Sequence, residues 1–458
     1  MTEKSGLVGT ARDLGLVDGI LDVTRTLSLA EKHAFGLQKP DGEWCAEFKT
    51  GIFSLTEHIF FCQIWGIDKS ADAGLFQKFL LSLQNSDGSW SAAPDYPGEV
   101  SLTAEAYLAL RILGVEADCT ELLRARHFVR NAGGLAKVRI LTRFHLAQFG
   151  LWPWTAVPQL PPELILLPLQ SPIHIYKLWY VARATIVPMA IIRHHEPIFA
   201  LPNGKSASNN YLDELWLDPQ HKSVPYGRSL LDLSKNDPVG FAFHAADHLM
   251  HTLRVVMQYT PMRYLARKRS VNWILEHQSG DGTWFGYLTA MHCSMSALLL
   301  EGFTTDDLRI RRALTAMETW MWEDEQGKRI QLSTSPLWDT PMMISALCMS
   351  GVRRDDYRLQ RAAEWCKTQQ IFGSDTEVAR YCPDLASGGG FAFQYHNPWI
   401  PDVDDTAAVA LALYAQDDGA LEKYSFVRAA EWALSMQNKD GGWAAFDRDC
   451  DNTWLHKW

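Results

Sequence analysis

The sequence predicts an all-α protein in which inner and outer helices alternate and stack into an α/α barrel. Three observations carry this. A Gln-to-Trp motif recurs at fixed spacing, uniformly apolar segments alternate with it, and long runs of period-two alternation are absent. At 458 residues the chain exceeds one ordinary core, so two domains are expected.

The motif reads QKPDGEW at 38–44, QNSDGSW at 84–90, QSGDGTW at 278–284 and QNKDGGW at 437–443. Each copy follows an amphipathic segment, for example 76–83, 271–277 and 427–436, so it ends an outer helix. Its Asp-Gly supplies the stop and the turn, and its Trp lies just beyond. A fifth copy, at 365–370, reads as degenerate: it keeps Gln370 but has lost the Gly and the Trp. The apolar segments at 103–110, 294–300, 340–347 and 406–413 read as buried inner helices, and Gly114, Gly302 and Gly351 end three of them. Between about 134 and 237 the repeats stop and Pro is frequent, which predicts helices joined by long ordered loops.

A net charge of −10 without a Lys/Arg block argues against nucleic acid as a partner. The eight cysteines form no CxxC pair and no secreted-type framework, so they read as reduced intracellular thiols. The N-terminus lacks the basic and apolar regions of a signal peptide. No apolar run reaches the ~18–20 residues of a membrane span. Two segments, 184–192 and 241–251, are candidates for lying on a membrane, with ordinary core helices as the plainer reading of both.

The stretch most charged with chemistry is PDVDDT at 401–406, which opens the apolar run AAVALALY at 407–414. That run predicts a helix buried on all sides, with Asp402, Asp404 and Asp405 in its first turn facing the interior. Acids there also serve as ordinary caps, favoured by the helix dipole. Crowded carboxylates with little water cannot all ionise, so one keeps its proton. A retained yet acidic proton is what protonation of an alkene requires.

Together with the four repeats, DVDDTA at 402–407, SPLWDT at 335–340 and GGFAFQ at 389–394 make the chain resemble the squalene-hopene cyclases, the class II triterpene cyclases. The resemblance implies two α/α barrels: an N-terminal segment 1–22 belonging to the catalytic barrel, an inserted barrel 23–320, and a partial catalytic barrel 321–458. It implies that the repeats tie outer helices together, which accounts for 18 Trp. It also implies that Asp404 protonates a terminal alkene of squalene while Asp402 and Asp405 hold and tune it. Trp338, Phe391, Phe393 and Phe446 would offer π faces to the carbocation, alternatively acting as plain core aromatics. Glu57, Glu105 and Arg139 match a buried polar cluster near the substrate, with a structural salt bridge as the other reading.

Asp405 is followed by Thr406, not by the Cys of the oxidosqualene cyclases, so an alkene is expected and not an epoxide. Asp355 and Asp356 have no third acid at the class I spacing, so no metal is expected, and no cofactor. Two positions depart from the family pattern: Val181, a substrate-wall position, and His145 each stand where Trp is usual. Family chains continue beyond the point where this sequence stops, through a His that bonds the catalytic Asp and through closure of the barrel. An open barrel would favour association, including a homodimer. The resemblance further implies a peripheral membrane or lipid-droplet location. A truncated isoprenoid-binding remnant and a class II cyclase of another isoprenoid remain as alternative functions.

Overall fold

The computed structural model describes residues 17–171, 173–205, 209–222, 224, 230–373, 376–377, 388–395, 397–417 and 419–450. Its helices are α1 (Val17–Gly36), α2 (Phe53–Trp65), α3 (Ala73–Ser82), α4 (Val100–Ile112), α5 (Thr120–Asn131), α6 (Ile140–Ala147), α7 (Tyr180–His195) and α8 (Leu230–Asn236). They continue with α9 (Pro238–Met257), α10 (Pro261–Glu276), α11 (Leu288–Leu300), α12 (Leu308–Glu318), α13 (Pro336–Ser350), α14 (Tyr357–Thr368), α15 (Val403–Gln416) and α16 (Tyr424–Ser435). The all-α expectation holds with one addition, an antiparallel hairpin of β1 (Met321–Asp324) and β2 (Gly327–Ile330). Its four-residue strands are too short and too polar to show an alternating pattern.

The chain divides into two compact units, Met1–Ala46 with Ser335–Ala445, and Glu47–Thr334 with Phe446–Trp458. The junctions at 46/47 and 334/335 lie later than the sequence boundaries of 22/23 and 320/321. One reason is that Ala34 and Trp44 share a core with Leu337, Ile344, Leu359 and Val409.

The repeats build both units in the same way. In the first three copies the Gln amide donates to a carbonyl of its own turn and to a carbonyl of the next outer helix. Gln38 reaches Arg358, Gln84 reaches Glu121 and Gln278 reaches Arg309, at 3.0, 2.9 and 2.9 Å. The indole N–H then returns ten residues, from Trp44 to Ala34, Trp90 to Leu80, Trp284 to Ile274 and Trp443 to Ala433. The turn glycine is obligatory. A Cβ on Gly42 or Gly282, both at positive φ, would sit 2.8 or 2.7 Å from the carbonyl oxygen of Arg361 or Arg312 in the following outer helix.

The fifth copy keeps its Gln bonds and a turn Gly, contrary to the sequence reading, while its Trp is lost as that reading has it. Gln370 donates to Gly389 at 2.7 Å and to Ser425, in the first turn of the next outer helix, at 2.8 Å. An insertion separates the Gln from its Gly, and Phe391 takes the place of the Trp.

Of the two membrane candidates, 184–192 is core: Ala184, Val187, Pro188, Ala190, Ile191 and Ile192 of α7 are buried. The other lies on α9, where Phe241, Leu249, Leu253, Val255 and Val256 are exposed. Among the described residues no helix is long and apolar enough to cross a membrane.

Candidate active site

Three inner helices, the acid-bearing one among them, are each held by the backbone N–H of a repeat aromatic. The backbone N–H of Trp44 bonds Thr340 Oγ1 and that of Trp90 bonds Thr103 Oγ1, both at 3.0 Å. In the same way the N–H of Phe391 donates to Thr406 Oγ1 at 2.9 Å, and Asp402 N–H donates to the Phe391 carbonyl at 2.8 Å. The acid turn is thus a repeat junction whose cap positions carry carboxylates.

Asp402 is the N-cap of α15, its Oδ1 accepting the Asp405 N–H at 2.8 Å. The Asp402, Asp404 and Asp405 carboxylates lie within 4.8 Å of one another. Asp402 and Asp405 are buried, at 1% and 2% exposure. Burial, reinforced by the neighbouring Asp405 and Asp404, raises the Asp402 carboxyl well above its ordinary range. Burial also raises Asp405, to about 7, with Asp404 and Asp339 adding to the rise and the hydrogen bond to Asp402 opposing it. The pair therefore retains a proton near neutral pH, as crowding predicts.

Asp404 is exposed, which corrects the expectation of three interior acids. At 3.6 residues per turn it shares one face of α15 with Ala407, Leu411 and Tyr414. That whole stripe is exposed, Leu411 at 66%, so α15 is not buried all round. Neighbouring α13 shows a matching stripe of Trp338, Met342, Ala346 and Met349. Trp338, 37% exposed, stands in the first turn of α13 next to Asp339. Asp339, which the sequence reading left inside a motif block, accepts from Ala46 N–H at 2.9 Å and Ser335 Oγ at 2.8 Å.

Phe391 is fully buried in the core cluster, where it matches the alternative reading as a core aromatic and serves the repeat. Phe393, two residues on, is partly buried. The remaining sequence-predicted residues belong to the other unit. There Arg139 donates to both Glu105 oxygens at 3.2 Å, Thr142 also bonds Glu105, and Glu57 accepts from Thr289 at 2.8 Å. Burial raises both glutamates above their ordinary range. Phe446 packs on Tyr180 and Trp179, with ring centroids 5.5 and 6.1 Å apart. Val181 is partly buried on α7 and its carbonyl accepts from Tyr287. His145, on α6, is buried with its Nε2 unbonded.

The comparisons with known proteins agree with this construction. Residues 27–326 match the squalene-hopene cyclase N-terminal domain, and residues 334–458 match the squalene-hopene cyclase C-terminal domain. The chain belongs to the squalene-hopene cyclase family. Within it, the chain is similar to squalene hopane cyclase afumA of Aspergillus fumigatus, 45% identical over 90% of this chain and 56% of that protein. Enfumafungin synthase efuA of Hormonema carpetanum is 43% identical over 95% of this chain and 33% of its own length. The squalene-hopene cyclase of Alicyclobacillus acidocaldarius is 32% identical over 93% and 65%. The chain thus spans between about a third and about two thirds of these family members.

By position alone the acid triad is also the group, among the described residues, close enough together to hold a cation. One Asp402 oxygen is committed to the helix cap, and the buried pair has raised proton affinity.

Proposed function

We propose that the chain cyclises squalene or a similar isoprenoid by protonating a terminal alkene through Asp404. The observation that carries this reading is the acid triad, a proton-retaining buried pair in contact range of a third carboxyl at a helix N-terminus. In the step, the Asp404 O–H bond breaks and its proton adds to one alkene carbon. The other carbon becomes a tertiary cation, which the next double bond attacks. The Asp404 carboxylate left behind is stabilised by the N-terminal end of α15, worth ~0.3–1 kcal/mol. Asp402 and Asp405 resupply the proton. The exposed face of Trp338, on the same unit, is suited to stabilise a cation by its π electrons. The cascade ends by proton loss or water capture.

Cyclisation in D2O tests this. Alkene protonation puts one solvent deuterium on carbon in the product, whereas epoxide opening would put it on oxygen, where it washes out. A product without carbon-bound deuterium contradicts the reading.

A second reading, isoprenoid binding without turnover, rests on Val181 standing where the resemblance puts a wall Trp, so that a π face is lost. Bound squalene recovered unchanged after prolonged incubation would support it.

The same proposal includes an intracellular, peripheral membrane or lipid-droplet location. Supporting it are the exposed apolar residues of α9, which continue through Tyr259, Met262, Tyr264 and Leu265 at the α9/α10 corner. The seven described cysteines, all free, accord with a reducing compartment. Co-sedimentation with liposomes, lost on Leu253→Glu with Val256→Glu, tests the membrane contact. A homodimer belongs to the same reading and is tested by the mass in solution.

A further inference from the structure

The unit Glu47–Thr334 holds a second row of titratable groups that the protonation step does not use. Its members are Glu57, His58 and Cys62 on α2, and His292 on α11, each under 5% exposed. They form a line. Glu57 Oε2 lies 3.7 Å from His292 Nδ1, a side-chain adjustment short of a hydrogen bond. His292 Nε2 lies 3.3 Å from His58 Nδ1, and His58 Nε2 lies 3.4 Å from Cys62 Sγ. Phe61 stacks on the His292 ring at 4.6 Å and fixes its plane. Cys62 in turn lines a surface cleft of about 470 Å³ with Gln63, Lys69 and Ser70.

Each imidazole thus turns one nitrogen toward the buried carboxyl and the other toward the cleft. Burial lowers the proton affinity of both rings, that of His292 to about 3, so both stand neutral at pH 7. A neutral imidazole is donor at one nitrogen and acceptor at the other, the arrangement a proton relay needs. At the inner end, Glu57 Oε1 and His292 Nδ1 are buried without a hydrogen-bond partner. His145, Thr289 and Arg139 all act on Glu57, which in turn raises Glu105 and Cys293. At the outer end, Lys69 pairs with Glu318 and Lys328 with Asp72, both at 2.8 Å, beside Cys62 and His58.

We propose that Glu57, His292, His58 and Cys62 form a proton relay between the buried carboxyl of this unit and the cleft beside Cys62. A proton arriving on Glu57 passes from its carboxyl oxygen to His292 Nδ1 as His292 Nε2 releases its own to His58 Nδ1. His58 Nε2 releases to Cys62 sulfur, whose S–H proton leaves to water in the cleft. Every group ends with the number of protons it began with. What the relay is for rests on the cyclisation reading: proton loss from the last cation breaks a C–H bond, its electrons form the alkene, and the proton needs an exit.

The test does not depend on turnover. In full-length chain labelled with ¹⁵N in its histidine rings, exchange of the His292 ring N–H with water is measured by NMR and divided by the rate of free imidazole. The relay predicts far weaker protection than that of the Trp90 and Trp284 indole N–H groups, which are fully buried. It also predicts that His58→Phe, or His58→Gln if the first does not fold, slows the exchange by about tenfold or more, since only local opening then remains. Equal protection of His292 and the two indoles, or exchange unchanged in a folded His58 variant, overturns the relay. A chain that forms no cyclised product but passes this test sinks the cyclisation reading and leaves the relay standing.

Discussion

Asp402 and Asp405 are joined twice, once by the 2.8 Å bond from the Asp405 N–H to the Asp402 carboxylate and once by competition for a proton. The bond is structural and the competition chemical, so substitutions separate them. Asp402→Asn keeps a capping oxygen and is expected to leave stability within about 0.5 kcal/mol, whereas Asp402→Ala loses about 0.5–2 kcal/mol. Both are expected to abolish cyclisation. Chemical denaturation beside product analysis checks the pattern, and an active Asp402→Asn would show that the cap alone matters.

The proton affinity of the pair also sets a pH dependence of stability. Between the ordinary aspartate value of 3.8 and about 7, folded Asp405 keeps a proton that the unfolded chain has released. This contribution to stability therefore falls as pH rises across that window and levels off above it. Comparing wild type with Asp405→Asn by thermal melts from pH 4 to pH 8 isolates it. The variant is expected to gain relative stability toward pH 8, and parallel profiles would contradict the assignment.

Gln370 is expected to matter as much as the glutamines of the obvious repeats. Gln370→Ala and Gln84→Ala each leave two buried or half-buried carbonyls without their donor, at about 1–3 kcal/mol. Urea unfolding measures both, and a neutral Gln370→Ala would mean the fifth junction is not a working repeat.

Chelation separates proton chemistry from metal chemistry at the triad. Cyclisation is expected to be unchanged after exhaustive treatment with EDTA. Loss of activity on chelation, restored by magnesium, would assign the three carboxylates to a cation instead.

The fold was legible because its unit is short and local: the motif at 84–90 carries its own helix stop, turn and indole anchor within eleven residues of Leu80. The fifth repeat was not legible because an insertion separates Gln370 from Gly389, and a fixed-spacing search cannot cross it. It had a signal nonetheless, in Gly389-Gly390-Phe391 followed by Thr406, the aromatic and threonine pair that also opens the junctions at Trp44 and Trp90. The acid turn was legible as a motif, but the direction of Asp404 was not. Composition marks 407–414 as apolar throughout, while the exposed stripe through Leu411 depends on which neighbours cover the helix. His58 and His292 left no sequence signal, being 234 residues apart and joined only by folding.

The most direct measurement is conversion of squalene by wild type and by Asp404→Asn, with products identified by mass spectrometry. The account predicts a polycyclic triterpene from wild type and a loss of about 10²–10⁴-fold or more in the variant, the scale of a positioned acid. Equal conversion by the two proteins would contradict it.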